Sequence, residues 1–454
     1  MPAQRPNQNS VLFLGLVMAC IVLFLLSLSS TAVLSILAVT ILLILTSWKP
    51  EIGLYLMTLC LPIIDYNFFV GPLIIPLVDG LAVISLAGFV LHSIFRPREA
   101  KRWRWPALVP YLIFLAAVLA SSFFTEYIAA SLWYGIRWIA LFYFAYIILP
   151  VNIIKDEARL RKVLWCMLLS QLAVALIGLS SLFVQDWQNL SMRVRPVSFF
   201  GGWPLGDNHN LIAEFLVVGV FFTIAMRYWT RSSQVLKYLT LSSGFLMMVA
   251  LGTFSRAAWI ALFLQWALYL AYRASLKKSL VPFLIVLFLL SPLAIYMVRL
   301  QSQFEVGVSS TQSRLLLTEI SVQALLEKPF FGHGSGSFYE IVGDNIRFLA
   351  KYGSALDSHG VIQKIIAENG LVGMATFSIF VISLFYILWL AVRSARETPY
   401  MNIILPLSIG AFGGFFFQFF NTSYYKGKAW LPIGIAIAAA YLIKDKKIQA
   451  YAKK

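Results

Sequence analysis

The chain is a succession of apolar stretches, each about as long as a bilayer's hydrocarbon core is thick. A helix rises about 1.5 Å per residue, so crossing about 30 Å takes roughly 20 apolar residues. Windows of that kind fall near 11–29, 31–47, 52–64, 77–95, 107–123, 130–150, 163–183, 210–227, 238–254, 257–273, 281–297, 370–392, 402–420 and 430–443. The stretches at 52–64 and 430–443 are short, so the expectation is 12–14 spans. Backbone groups in lipid must pair within their own segment, which makes the expected fold all-α: a polytopic integral membrane helical bundle. Composition agrees. With 60% of residues hydrophobic and 12% charged, too few polar groups exist to cover a water-solvated surface. The first apolar run follows only Arg5 and could pass for a signal peptide. A second run follows almost at once, so it reads as a retained helix.

A formal net charge of +17 would suggest nucleic acid in a soluble protein, but membrane proteins collect Lys and Arg in cytoplasmic loops. Placing both termini inside puts 96–104, 155–162, 227–237, 273–278, 393–396 and 444–454 in the cytoplasm. With Arg5 and Lys49, that arrangement gathers 24 of the 36 Lys and Arg residues. The partners expected from composition are therefore membrane lipids, not nucleic acid. Cys20, Cys60 and Cys166 lie in apolar runs without CxxC or Cys/His spacing, so neither a disulfide nor a metal site is expected.

Three regions follow from this topology. Residues 1–297 hold helices with short loops and one outward loop at 184–209. A long outward loop spans 298–369, and 370–454 returns to membrane helices and a basic cytoplasmic tail. The long loop is not low-complexity. Its run 315–328 places Leu316, Ile320, Ala324 and Leu325 on one helical face. Pro329 should stop that helix, and Gly332, Gly334 and Gly336 should form a turn. A second amphipathic stretch, 359–369, leads into the next span with Gly370 as its break.

Basic residues outside the cytoplasmic clusters carry the functional reading. Arg137 lies within an apolar, aromatic segment, where an Arg costs about 2.5–3.5 kcal/mol at the membrane centre. It should face a polar cavity or a partner, or snorkel to the interface. Arg193 and Arg195 precede the aromatic, Gly-rich stretch FFGGWPLGDNHN, whose Phe199, Phe200 and Trp203 suit sugar stacking or plain packing. Arg256 opens a span, and Arg314 lies in the long loop. Guanidinium forks bind phosphate oxygens bidentately where water is partly excluded, so arginines converging near an outer leaflet point to a lipid diphosphate. The histidines His92, His209 and His333 read as structural. His359, before the amphipathic stretch, is the candidate general base.

Three segments resemble the bacterial O-antigen ligases and their O-antigen polymerase relatives. TFSRAAWIAL (253–262) resembles the family's Ser-Arg-small motif at the start of a span. SRLLLTEISVQALLEKPFFGHGSGSF (313–338) resembles the opening of the long periplasmic loop, ending in Pro-x-x-Gly-x-Gly. His359, Gly370 and Gly373 follow the ligases' His-(Asn/Ser/Gln)-x9-Gly-x-x-Gly pattern, with Gly360 standing where that pattern has Asn, Ser or Gln. Polymerases carry Arg-x10-Gly motifs in outward loops, and Arg195 to Gly206 fits that spacing.

The resemblance implies a metal-independent, cofactor-free, inverting membrane glycosyltransferase in the bacterial inner membrane, its active site periplasmic. It would take an undecaprenyl-diphosphate-linked glycan as donor and the lipid A core as acceptor. Arg195 and Arg256, with Arg137 or Arg314, would hold the diphosphate, and Arg193 would support them. His359 would activate the acceptor hydroxyl, and Asp357 or Glu368 would orient its imidazole. No acidic Asp-x-Asp cluster lies outside the membrane to hold a metal. A polymerase would use the same donor with a second lipid-linked glycan as acceptor. A lipid-linked glycan transporter would instead show internal repeats and midplane polar residues, and no repeat is visible.

Overall fold

The computed structural model describes residues 30–70, 73–96, 103–184, 193–199, 202–273, 305–421 and 425–452. The expected spans at 11–29 and 281–297, with Phe200, lie outside these residues.

The chain is an all-α polytopic membrane protein. Its helices are α1 (Ser30–Trp48), α2 (Pro50–Cys60), α3 (Leu77–Phe95), α4 (Leu108–Ser121), α5 (Ile128–Ile153), α6 (Glu157–Val184) and α7 (His209–Met226). They continue as α8 (Ser233–Gly252), α9 (Arg256–Arg273), α10 (Glu305–Glu327), α11 (Phe338–Gly343), α12 (Ile346–Tyr352), α13 (Val361–Ala395), α14 (Met401–Phe416) and α15 (Gly427–Ala452). Among the described residues, eight helices are long and apolar enough to cross a membrane. Helices over Val33–Trp48 and Leu108–Phe124 are apolar but shorter. One small antiparallel hairpin, β1 (Asn67–Val70) and β2 (Leu73–Pro76), pairs Asn67 with Pro76 and Val70 with Leu73. It sits between α2 and α3, where the sequence reading had only a connection.

Burial sorts the helices into a centre and a rim. In α15, 89% of the apolar window is buried within the protein; in α8 the figure is 28%. Small residues let α15 sit at the centre: a Cβ at Gly434 would meet the Tyr146 carbonyl of α5. Such close backbone approach is how membrane helices associate when lipid is as apolar as their side chains. Helix α7 packs against α6, α8 and α14, and α13 packs against α4, α14 and α15.

The long loop has a core of its own. Leu316, Leu317, Ile320 and Ala324 of α10 pack with Phe338, Val342 and Phe348 of α11 and α12. Burying each Phe stabilises the loop by about 1.5–3 kcal/mol. Ala367 of α13 joins this core, so the loop is welded to the start of the next span.

That weld has a specific form. The nine residues Val361–Asn369 are helical, and Gly370 (φ 63°, ψ −161°) breaks the helix before the span proper. A helix break leaves backbone donors and acceptors without helical partners. Here the turn after Pro329 supplies them. The N–H groups of His333 and Gly334 donate to the carbonyls of Ala367 and Glu368, at 3.0 and 2.8 Å. In return, the N–H groups of Leu371 and Val372 donate to the carbonyls of Pro329 and Phe330, at 2.8 and 3.1 Å. The interlock requires glycine on both sides. A Cβ at Gly370 would lie 2.5 Å from the Phe330 oxygen, and one at Gly332 would lie 2.5 Å from the Glu368 carbonyl carbon.

Candidate functional site

Three segments deliver arginines to one place, and polar contacts hold the first two of them. The irregular segment 193–198 is fixed by Val194 N–H to the Gly252 carbonyl (2.9 Å) and by Arg195 N–H to the Ser181 hydroxyl (3.1 Å). At the start of α9, Phe254 adopts a left-handed backbone (φ 52°), an uncommon conformation for a residue with a Cβ. Ser255 then caps the helix, accepting from Ala258 N–H, and its hydroxyl donates to Asn210 Oδ1 at 2.6 Å. Ala257 and Ala258 are buried. The Ser-Arg-small motif therefore has a physical reading: Ser caps and anchors, the alanines pack, and Arg256 is left exposed at the first turn.

Arg314 on α10 is the hub. It lies within electrostatic reach of Arg256, of His209 at the start of α7, and of His359. His209 Nε2 is 3.4 Å from Arg193 Nη1 and accepts from it in the neutral form. Arg195 in turn acts on Arg193. Arg193, Arg314, His209 and His359 are half-buried, with Arg195 and Arg256 exposed around them. Among the described residues no carboxylate forms an ion pair with Arg195, Arg256 or Arg314, and Arg314 Nε is buried without a hydrogen-bond partner. Burial, and then Arg256, lower the pKa of Arg314; burial, and then Arg195, lower that of Arg193. Positive charge is therefore concentrated here on half-buried and exposed arginines, and among the described residues it is uncompensated by carboxylates at Arg195, Arg256 and Arg314.

His359 flanks it. Burial, then the Arg314 charge, pull the imidazole down to about 4, with Asp357 opposing them. The ring is therefore neutral at physiological pH. Its backbone N–H donates to Gln363 Oε1 at 3.0 Å.

Asp357 does not hold the imidazole by a hydrogen bond. Its Oδ1 accepts from Ser358 N–H and from Lys364 Nζ, at 2.8 and 2.7 Å. Glu368 lies on the far side of Lys364, 3.4 Å from its Nζ, and accepts from Phe338 N–H at 3.3 Å. Glu368 thus secures the glycine turn, and Asn369 assists by donating to Ser121 and Ser335, each at 2.7 Å. Arg137 falls elsewhere, in a π-helical stretch of α5 within electrostatic reach of Asp79. His333 bridges the Ala324 carbonyl (3.1 Å) and Glu327 (3.6 Å), as a structural histidine would. His92 lies beside the Ser47 carbonyl at 3.0 Å.

Two buried ionic groups escaped the sequence reading. Lys364, nearly enclosed between Asp357 and Glu368, was discernible as an i, i+4 pair with Glu368 but not as buried. Lys428 lies 2.7 Å from Glu214 deep in the bundle, each about 2% exposed, with Gln418 and Asn421 donating to the same carboxylate. No local signal joins residues so far apart in the chain. Among the described residues no three His, Cys, Asp or Glu side chains converge as metal ligands would.

A search of curated proteins finds no match. The O-antigen ligase family model matches residues 241–378, a range that contains Arg256, Arg314, the glycine interlock and His359. Over that range the chain carries an O-antigen ligase family domain.

Proposed function

We propose that the protein is a glycosyltransferase of the O-antigen ligase type, acting on the periplasmic face of the bacterial inner membrane. It moves a glycan from undecaprenyl diphosphate to a sugar hydroxyl of the lipid A core. The observation that carries this reading is the patch of Arg193, Arg195, Arg256 and Arg314, uncompensated at its Arg256 and Arg314 corner and adjoining a neutral histidine. Such a patch suits a ligand that brings its own negative charge, and a lipid diphosphate does so.

In this scheme the guanidinium groups take the diphosphate oxygens. The acceptor hydroxyl oxygen attacks the anomeric carbon and gives its proton to the His359 imidazole. The bond from that carbon to the phosphate oxygen breaks, and its electron pair leaves with the lipid diphosphate, whose growing charge the arginines stabilise. Attack opposite the leaving group inverts the anomeric centre. In the free protein His359 is a weak base because burial and Arg314 hold it near 4. A bound diphosphate offsets the Arg314 share of that depression, while burial, its larger cause, remains. The donor thereby raises the imidazole's basicity in part when it is in place.

The test is the surface glycan profile of a strain lacking the gene, complemented with wild type or His359→Ala. Bare lipid A core with long glycan retained on undecaprenyl diphosphate, restored by wild type and not by His359→Ala, is the expected result. Core bearing a single repeat unit would mark a polymerase instead. Rescue by well-expressed His359→Ala would refute the role of the histidine.

A further inference from the structure

We propose that Gln363 is a positioning residue that sets the spacing between His359 and the anion-binding Arg314; the inference rests on the reading of His359 as the base. Gln363 occupies the first turn of α13, where its side chain reaches in two directions. Its Oε1 accepts from the backbone N–H of His359 at 3.0 Å. Its Nε2 donates to the Thr318 hydroxyl on α10 at 2.6 Å. The Thr318 hydroxyl donates onward to the Arg314 carbonyl at 2.8 Å, and Gln363 Nε2 lies 3.5 Å from that same carbonyl. One amide therefore joins the backbone that carries the base to the helix turn that carries the central arginine.

Among the described residues, no direct hydrogen bond joins His359 to Arg314, so the amide of Gln363 is the contact that reaches both. Lys364, its neighbour, grips Asp357 and Glu368 and so ties the His359 loop to its own helix. The core between α10, α11 and α12 holds the loop broadly in place, whereas the non-directional apolar contacts do not fix its register as hydrogen bonds do. A displacement needs the acceptor oxygen, the anomeric carbon and the leaving oxygen in line, with His359 at one end and the arginines at the other. Misplacement of about 1 Å in such an arrangement costs about 10²-fold in rate.

The experiment compares initial rates of glycan transfer in membranes of the deletion strain, using the strain's own lipid-linked glycan. The variants are wild type, His359→Ala, Gln363→Met, Thr318→Val and the Gln363→Met/Thr318→Val pair. Gln363→Met, close in shape but without the donor and acceptor, should lower the rate about 10- to 100-fold. Its protection by inorganic pyrophosphate in thermal unfolding should stay unchanged, because the arginines remain. Thr318→Val, on an exposed turn, should lower the rate several-fold without loss of protein. The paired variant should be no worse than Gln363→Met alone, since both cut one connection. Equal rates for Gln363→Met and wild type, a wild-type rate for Thr318→Val, or a paired loss equal to the product of the single losses would each overturn the inference. An inactive His359→Ala beside a fully active Gln363→Met would sink this inference alone. An active His359→Ala would remove the base and the inference with it.

Discussion

Replacing Arg314 with Gln should make the protein more stable and nearly inactive. Arg314 has a buried Nε without a hydrogen-bond partner, and the Arg256 charge acts on it. A buried donor left unpaired costs about 1–3 kcal/mol, and the half-buried position puts this case at the lower end. Gln keeps most of the aliphatic stem while removing the charge and the orphaned donor. The expected gain is about 1 kcal/mol, with a further few tenths from relief of repulsion. One kcal/mol moves the unfolding midpoint by about 2–4 °C for chains of 150–250 residues and less for longer ones, so a rise of about 1–2 °C is expected here. Transfer should fall about 10²- to 10³-fold, the loss typical of removing one preorganised donor from a developing anion. The assay is thermal unfolding of the detergent-purified protein with and without millimolar inorganic pyrophosphate, beside a transfer assay. Wild type should gain stability from pyrophosphate, and Arg314→Gln should gain much less. A variant that unfolds several degrees below wild type, or that pyrophosphate protects equally, would refute the reasoning.

Other consequences are as direct. His359 has a folded pKa near 4, below its unfolded value of about 6.5. As pH falls from 6.5 towards 4, the unfolded chain binds a proton that the folded protein refuses, so stability declines across that window. His359→Gln should flatten that part of the stability–pH profile, which thermal unfolding across pH would record. Gly370→Ala places a Cβ 2.5 Å from the Phe330 oxygen at φ 63° and should cost about 3 kcal/mol or more; wild-type stability in a melt would contradict the interlock. Lys428→Met leaves Glu214 buried without its cation and should cost about 3–5 kcal/mol, whereas Lys428→Met with Glu214→Gln should recover much of it. A double-mutant cycle on the unfolding midpoint tests this pair.

The parts of this architecture readable from sequence are those fixed by local physics. Apolar length marks Leu77–Phe95 at the expected bounds, and Gly370 breaks its helix where the amphipathic stretch gives way to the span. Gly332, Gly334 and Gly336 all take positive φ, as a turn dense in glycine suggests. Extension of α15 to Ala452 was not readable, because hydropathy ends at the lysines while the helix does not. At the site, residue types announced arginines and a histidine but not their grouping. Arg137 acts on Asp79, and Arg314 on both His209 and His359, because of tertiary placement alone. Asp357 and Glu368 looked like partners for the imidazole, and only the fold revealed Lys364 standing between them.

The glycine interlock divides the long loop into a portion that cannot change and a portion that can. Residues 329–337 and 361–373 are gripped backbone to backbone, so an inserted residue there would shift every bond in the set. Gly353, at the end of α12, has open space around it and exposed neighbours on the approach to His359. An epitope tag, or added length, fits there without moving His359. The fold thereby separates a stretch whose backbone is locked from a stretch of chain free to vary in length and sequence.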